Sequence, residues 1–218
     1  MTFIGAGTLT KLINHFSEPA RVEWHGDRPF AFSRLRSEYT SMLEELALER
    51  EAEVKTLPIT PGWEPIADKN PTTARYSRYS AFLISPLTLA LFFAIRETYT
   101  HLLQALGQDS RPRFIQCWYN IHRGGESLVR HKHPYPFIGT FSAHAAGSQT
   151  RYGKTRETSD ADLVVEHVDG LLMITTGEDH YHETSVWEEQ ERPRVTYAFD
   201  ILNAERWNAK QVFVPFDF

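Results

Sequence analysis

Two pairs of closely spaced histidines are the residues of this sequence best suited to do chemistry. His131 and His133 stand one residue apart, and His180 and His182 repeat that spacing about fifty residues later. In an extended strand alternate side chains point to the same side, so both imidazoles of a pair can reach one ion. A third histidine from a distant strand would complete a metal site. Neutral imidazole binds iron, zinc, copper and nickel, so these ligands alone leave the metal open.

The other histidines of the chain are predicted to make ordinary hydrogen bonds at the surface or in the core. One of them precedes Asp27 at the His-x-Asp spacing of many iron enzymes, but this pair lies far upstream of the strands that would carry a metal site. A chance match is the preferred interpretation. These histidines are His15, His25, His101, His122, His144 and His167.

The composition indicates a folded protein without affinity for polyanions. The 218 residues are 41% hydrophobic and 13% aromatic, which is enough to bury a sizeable core within a single domain. The formal net charge is -5 at pH 7, and the basic residues are scattered along the chain. We therefore expect no nucleic-acid partner. The composition leaves the oligomeric state open.

The sequence shows no sign of export or of a membrane anchor. Cys117 is the only cysteine, which excludes an intramolecular disulfide and a cysteine-based zinc cluster and suits a reducing cytoplasm. Residues 1–5 lack the charged and apolar regions of a secretion signal. The apolar stretch 81–95 is interrupted by Ser85 and Pro86 and is shorter than the roughly 20 residues that a membrane span needs. We expect a cytoplasmic protein.

The pattern of the chain changes at about residue 112. Before it the periodicity is mainly helical: residues 34–55 carry apolar side chains at helical spacing, with Ser33 placed to cap the helix. A second helix is predicted from Ser85-Pro86, which suit the cap and the first helical position, to a stop at Gly107. Residues 57–71 contain four prolines and should form an ordered loop or arm.

After residue 112 the chain consists of short β-like runs separated by turns. Seven such runs without an intervening helix predict an antiparallel sandwich or barrel. Residues 1–112 are thus expected to form a helical part that supports a β core of residues 113–218, within one domain. The predicted strands are 114–121, 137–144, 148–152, 162–168, 170–176, 194–201 and 211–214.

Two groups of motifs in the β core carry a family resemblance. The first comprises Trp118-Tyr119-Asn120, Gly124-Gly125, His131-x-His133-Pro134 and Ile138-Gly139-Thr140-Phe141. The second comprises Gly170-Leu171-Leu172-Met173-Ile174, His182-Glu183-Thr184-Ser185 and Arg194-Val195-Thr196-Tyr197-Ala198-Phe199-Asp200. In this order and spacing they resemble the small 2-oxoglutarate and Fe(II) dependent oxygenases related to prolyl hydroxylases. The resemblance covers about residues 113–201, and the first 112 residues match no family that we can name.

The resemblance implies a double-stranded β-helix, a jelly roll whose two sheets hold iron between them, with about two helices supporting one sheet. It implies Fe(II) as the metal and 2-oxoglutarate and O2 as cosubstrates, with hydroxylation of an unactivated C–H bond as the reaction. His131 and His182 correspond to two of the iron ligands. The Glu183 that follows His182 also fits the prolyl hydroxylase pattern, so His182 is preferred to its neighbour His180.

The resemblance also implies a site for the cosubstrate. Arg194 corresponds to the residue that pairs with the distal carboxylate of 2-oxoglutarate, a task for which planar guanidinium is well suited. Arg192 is the fallback for this role. Asn120 matches an asparagine of the family, and it alternates in facing with Tyr119, so at most one of the two points inward.

His133 departs from the wider superfamily, in which an aspartate at this position completes a set of two histidines and one carboxylate. An imidazole here leaves an Fe(II) site one unit more positive. Three interpretations follow. His133 binds the metal in a three-histidine site, it stands behind the ligands while water takes the vacant position, or the protein has left the oxygenase chemistry. The first is preferred, because the pattern of the family that this sequence resembles also contains His-x-His.

Further residues are expected around the pocket, where they would contact the substrate or lie behind the metal ligands: Tyr119, Arg151, Tyr152, His180 and Arg192. Arg151 and Tyr152 lie on a strand that should border the pocket. The proline-rich segment 57–71 and the loop 151–160 are candidates for closing over a substrate. The substrate itself is expected to be a small molecule or an amino acid rather than a protein.

Three other functions stay open at this point. A three-histidine site also suits a zinc hydrolase or hydratase, in which the metal lowers the pKa of a bound water. A second alternative is an oxygenase that needs no 2-oxoglutarate. The third is a jelly-roll binding protein without catalysis.

Overall fold

The computed structural model describes residues 15–157, 163–178, 180–206 and 211–217, and within these ranges most regular structure is β-strand. The strands are β1 (Phe16–His25), β2 (Arg28–Leu35), β3 (Arg113–His122), β4 (His131–Lys132), β5 (Phe137–His144), β6 (Gln149–Gly153), β7 (Leu163–Glu166), β8 (Leu171–Thr176), β9 (Tyr181–Thr184), β10 (Arg194–Asn203) and β11 (Val214–Asp217). The helices are α1 (Ser37–Lys55), α2 (Ala81–Ile84) and α3 (Leu89–Ala105), and short 3-10 turns span Glu64–Ile66, Thr73–Arg78, Pro86–Thr88 and Ala204–Arg206.

The strands form two antiparallel sheets. The larger sheet has seven strands in the order β1-β2-β8-β5-β10-β3-β11, and the smaller has four in the order β4-β9-β6-β7. Most neighbours in the larger sheet are far apart in sequence, because the chain crosses repeatedly between sheet positions, as in a jelly roll. The predicted fold class, a double-stranded β-helix core with supporting helices, is confirmed.

The long strands β3 and β10 lie side by side in the larger sheet. They pair without interruption from Arg194 opposite His122 to Asn203 opposite Arg113. Because side chains alternate along a strand, this register divides both strands into one set of side chains facing the helices and one set facing the smaller sheet.

The face toward the helices is the main hydrophobic core. Tyr119, Phe141 and Tyr197 are fully buried in it beneath α1 and α3. The hydroxyl of Tyr197 donates to the carbonyl oxygen of Leu43 in α1 at 2.6 Å, which satisfies its one polar group. Full burial of an apolar side chain of this size stabilises the fold by roughly 1.5–3 kcal/mol. This core therefore fixes the sheet that carries the other face.

A second, smaller core lies between the two sheets. It comprises Phe30, Phe32, Tyr152, Val165, Leu171 and Met173. The space beside it, between the polar inward-facing side chains of β3, β5 and β10, stays open. That space is where the candidate site lies.

The N-terminal part differs from the sequence-based prediction. It contains β1 and β2, which extend the larger sheet, whereas helices and a proline-rich loop were expected there and no strand. Along β2 alternate residues serve both cores: Phe30 and Phe32 face the smaller sheet, and Ala31 packs on the helical side. Ser33 lies in this strand, with its hydroxyl 2.7 Å from that of Thr98 in α3, and so it does not cap α1.

The two predicted helices are present with shifted ends. The first begins at Ser37, and its N-cap Arg36 makes no side-chain capping bond. The second opens as predicted, since the Ser85 hydroxyl accepts from the backbone N–H of Leu87 at 3.2 Å, but its first turn is 3-10 before α3 begins. In the last strand Phe216 is buried against α3, so the aromatic C-terminal segment packs within the chain. Among the described residues, no helix has the length and apolar character required to cross a membrane.

Candidate metal centre

The strands β4 and β9 bring two distant histidines together. They pair antiparallel with His131 opposite His182 and Lys132 opposite Tyr181. On its other side β9 pairs with β6, with Tyr152 opposite His182. Because cross-strand partners point to the same face, His182 lies between His131 and Tyr152 on the inner face of the smaller sheet.

The third histidine comes from the turn that follows β4. One nitrogen from each of His131, His133 and His182 lies within 4.8 Å of the other two. The Nε2 atoms of His131 and His133 are 3.1 Å apart. Two imidazoles that bind one ion at about 2.1 Å and right angles place their nitrogens about 3 Å apart, so this separation suits a shared ion.

Polar contacts of Nδ1 orient two of the three rings. Nδ1 of His131 lies 2.8 Å from the carbonyl oxygen of Val129 and donates to it, which leaves Nε2 with its lone pair. Nδ1 of His133 lies 2.7 Å from Oδ1 of the buried Asp200. Nδ1 of His182 is buried and has no hydrogen-bond partner in the described part of the chain, so nothing there commits this ring to another role.

The environment keeps the imidazoles of His131 and His182 neutral. Burial, followed by the proximity of His133, lowers the pKa of His131 to about 3. Burial, with the two neighbouring histidines, lowers the pKa of His182 well below its usual value. A neutral imidazole offers the lone pair that a metal requires. The donor set thus fits a divalent transition metal such as iron or zinc.

Arg194 lies at the start of β10 on the same inner face and is only 1% exposed. Its Nε donates to the hydroxyl of Ser148 at 3.0 Å, and Nη1 donates to Nδ1 of His122 at 3.3 Å. Over residues 15–157, 163–178, 180–206 and 211–217, no carboxylate lies within ion-pair distance of the guanidinium. Burial lowers the pKa of Arg194 to about 10, which still leaves it charged at neutral pH.

Two further buried histidines surround Arg194 without neutralising it. Burial, and secondarily the charge of Arg194, lowers the pKa of both His122 and His167 to about 3. His167 is held by the hydroxyls of Ser142 at 2.8 Å and Thr150 at 2.7 Å. The arginine is therefore surrounded by neutral groups. A buried cation that only neutral groups surround destabilises the protein unless an anion binds to it.

Asn120 and Tyr119 face opposite sides of β3. Asn120 lines the cavity of the histidines, and its Oδ1 accepts from Thr73 at 2.7 Å and from the indole N–H of Trp118 at 3.1 Å. Its Nδ2 is the group that remains to donate to a ligand. Tyr119 packs in the main core against Tyr197, on the far side of the sheet. The expectation that Tyr119 could touch substrate is not met.

Tyr152 and Arg151 separate in the same way on β6. Tyr152 lines the cavity beside His182, with ring centroids 5.5 Å apart. Arg151 is exposed on the outer face opposite Glu183, because the register pairs these two residues. Because side chains alternate between the two faces along β6, Arg151 points away from the pocket.

Arg192 and His180, the alternatives to Arg194 and His182, lie outside the histidine cavity. Arg192 forms an ion pair with Glu44 of α1 through Nε at 2.8 Å and Nη2 at 2.5 Å, so its guanidinium is already occupied. His180 precedes β9, and its Nδ1 lies 3.0 Å from the carbonyl oxygen of Glu178. It lines a neighbouring cavity with Arg28 and Tyr152 instead.

The histidines, Arg194 and Asn120 enclose one cavity of about 50 Å³ between the sheets. A single water needs roughly 10–15 Å³ on this measure, so the space suits a small ligand. Trp63, from the proline-rich segment, lies edge-on to His131 with ring centroids 6.1 Å apart. That segment therefore packs against a histidine of the site, in an adjoining cavity that Asp200 also lines. Of the other predicted closing loop, residues 158–160 lie outside the described residues.

Asp200 was named in the sequence only as the end of a motif, and its position beside His133 was missed. The signal was present, since Asp200 lies an even number of residues after Arg194 on one strand and must share its face. His122 and His167 were set aside as ordinary histidines. Their place around Arg194 depends on pairing between distant strands, for which the local sequence gives no signal.

The fold and the site now define a class: a double-stranded β-helix with a cluster of three histidines and a buried arginine between its sheets. Neither protein-family models nor curated proteins show a match to this sequence. Solved structures are similar to the structure of this chain. A Pseudomonas putida prolyl-4-hydroxylase is similar over 86% of this chain and 89% of its own, with 13% identity and a TM-score of 0.52.

A second similar structure is the epimerase SnoN in complex with Fe3+, alpha ketoglutarate and nogalamycin RO. It is similar over 80% of this chain and 79% of its own, with 9% identity and a TM-score of 0.52. At identities of 13% and 9%, both structures are similar to this chain in fold alone. The resemblance to 2-oxoglutarate and Fe(II) dependent oxygenases is thus confirmed at the level of the fold.

Proposed function

We propose that the protein is an Fe(II) and 2-oxoglutarate dependent oxygenase. The observation that carries the proposal is Arg194, a charged guanidinium buried in the cavity of the three histidines with no carboxylate partner among the described residues. The distal carboxylate of 2-oxoglutarate is the anion that such a group requires. The two similar structures support the proposal through their shared fold.

The three histidines and Arg194 each have a role in this proposal. His131, His133 and His182 hold the iron, which supplies the oxidising chemistry once 2-oxoglutarate and O2 are bound. Arg194 pairs with the distal carboxylate and so sets the orientation of the cosubstrate, while Ser148 and His122 keep the guanidinium in place. The protein thereby positions the reactants and excludes water, and the bound groups do the chemistry.

The neighbouring cavity is the place that we propose for the substrate. It measures about 420 Å³ and shares Tyr152 with the histidine cavity. Its wall also includes Arg28, Phe30 and Lys154, which suit a polar small molecule or an amino acid. This size supports a small substrate over a folded protein surface.

The test is aerobic turnover of 2-oxoglutarate by protein loaded with one equivalent of iron. Succinate should form in amounts that rise when the correct small-molecule or amino-acid substrate is added from a panel. The His131→Ala variant is the control and should form none. Absence of succinate with every member of the panel, in protein shown to hold iron, would contradict the proposal.

A three-histidine zinc hydrolase is the main competitor, and metal analysis together with Arg194 separates the two. A hydrolase has no need of a buried guanidinium opposite its metal. Protein that retains zinc in preference to iron, and whose metal-dependent activity survives the Arg194→Met change, would support the hydrolase instead.

A further inference from the structure

We infer that Asp200 is a positioning residue that holds the ring of His133 and gives the metal centre the carboxylate charge that its three imidazoles lack. The inference rests on the metal site of the proposed function, but it concerns a residue outside the ligand set. It explains how a histidine can stand at the position where a carboxylate ligand is usual.

The contact between the two side chains is short and sheltered. Oδ1 of Asp200 lies 2.7 Å from Nδ1 of His133, and the Asp200 side chain is 1% exposed. The His133 ring is stacked with the indole of Trp118 at 6.1 Å and with His182 at 5.1 Å. With Nδ1 directed to the carboxylate, the tautomer that remains presents the lone pair of Nε2 to the ion.

No other group within the described ranges neutralises Asp200. Neither carboxylate oxygen has a hydrogen-bond partner there, and His133 is the only residue with a cationic form that lies within ion-pair distance among the described residues. Its charge reaches its neighbours, since burial and then Asp200 raise the pKa of Tyr76 to about 12. A buried carboxylate without a cationic partner is destabilising, and a metal bound through His133 supplies the missing positive charge.

The strand β10 places this carboxylate opposite the arginine. Asp200 and Arg194 point to the same face of β10 six residues apart, a span of about 20 Å. Arg194 lines the histidine cavity, and Asp200 lies behind His133, so the same face of β10 carries a fixed cation in the cavity and a fixed anion behind one ligand. Iron(II), 2-oxoglutarate, Arg194 and Asp200 together carry no net charge. In a site of two histidines and one carboxylate, the carboxylate binds the metal directly. Here the carboxylate lies behind His133 instead, and the total charge of the site is the same.

A comparison of Asp200→Asn in two backgrounds tests the inference. In the wild-type background, we expect the affinity for Co2+ and Fe2+, measured by competition with a chromogenic chelator, to fall about 10- to 100-fold, as for other residues behind metal ligands. The ligand-field absorption of the Co2+ protein should also shift. In the His133→Asp background two carboxylates would face each other, so Asp200→Asn should instead raise the affinity.

A matched control removes a different buried carboxylate. Glu44 is 6% exposed and pairs with Arg192 away from the cavity. Glu44→Gln should lower the melting temperature without changing metal affinity or the Co2+ spectrum. This separates loss of stability from loss of positioning.

The outcomes are distinct for the two proposals. If Asp200→Asn lowers metal affinity in the wild-type background and raises it in the His133→Asp background, the role of Asp200 is supported. An equal loss of metal affinity in both backgrounds, or no loss in either, would overturn the inference about Asp200, even if the wild type turns over 2-oxoglutarate. A wild type that binds no divalent metal would contradict the proposed function itself.

Discussion

Arg194 is the residue whose surroundings constrain the chemistry most. Its guanidinium is buried among neutral partners, and no described carboxylate neutralises it. In Arg194→Met we therefore expect 2-oxoglutarate binding to weaken by about 2–5 kcal/mol, the usual cost of truncating one partner of a buried charge pair. The stability of the ligand-free protein should be unchanged or higher, because an unpaired buried charge has been removed. Calorimetric titration and thermal melting measure the two effects.

Arg192 provides the control for that variant. It is close in sequence but already paired with Glu44. Arg192→Gln should leave 2-oxoglutarate affinity within a few-fold of wild type. If Arg192→Gln abolishes binding and Arg194→Met does not, the cosubstrate site has been assigned to the wrong arginine.

The buried histidines next to Arg194 make stability depend on pH. Burial lowers the pKa of His167 from 6.5 to about 3. Between these values the unfolded chain binds the proton and the folded chain does not, so stability is complete above pH 6.5 and is lost as the pH falls. His167→Gln retains an amide that can bond to Ser142 and Thr150, and it should make this slope shallower by up to about 1.4 kcal/mol per pH unit. Urea unfolding at pH 5 and pH 7 in a chelator measures it. An unchanged slope would show that His167 does not carry this effect.

At the scale of the elements, the register of β9 decides which histidine of the second pair meets the metal. His182 lies opposite His131 and Tyr152 on the inner face, whereas His180 precedes the strand and lines the neighbouring cavity. His182→Ala should abolish binding of Fe2+ or Co2+ under conditions that saturate the wild type. His180→Ala is the matched control, with the same residue type two positions away, and it should bind metal normally. The reverse result would mean that β9 is shifted in register.

The strand β5 is tightly packed at Gly139. A Cβ there would meet the ring of Phe199 and the carbonyl oxygen of Met173. Gly139→Ala should destabilise the protein by about 1–3 kcal/mol through overpacking, as measured by chemical denaturation. In a Phe199→Leu background the added loss should be smaller, because part of the clash is relieved. Strictly additive losses would place the strain elsewhere.

The elements also show where sequence reasoning succeeds. The longer strands from β3 to β10 were predicted to within a few residues, because their apolar runs end at clear turn residues. β1 and β2 were missed for different reasons. β2 is buried on both faces and so lacks the alternation of a half-exposed strand, and β1 is mostly exposed and so lacks an apolar face. The spacing of His131, His133 and His182 predicted that they converge, although not for the expected reason. His131 and His182 meet as partners on paired strands, whereas His133 lies just after β4 and is not part of a strand.

At the scale of the molecule, the N-terminal part contributes to the site that the β core carries. Trp63 lies against His131, and Thr73 donates to Asn120. These contacts join residues 47 or more positions apart, so no local pattern could predict them. Residues before 113 thus help to shape the cavity although the family resemblance covers only those after it.

The central claim is that iron and 2-oxoglutarate bind together in the cavity between the sheets. Anaerobic titration of the Fe2+-loaded protein with 2-oxoglutarate tests it most directly, because a 2-oxo acid chelated to Fe2+ gives visible charge-transfer absorption. We predict an absorption band that saturates at one equivalent and is absent in the His182→Ala variant and in Zn2+-loaded protein. Fe2+-loaded wild type that shows neither the band nor calorimetric binding of 2-oxoglutarate would contradict the account.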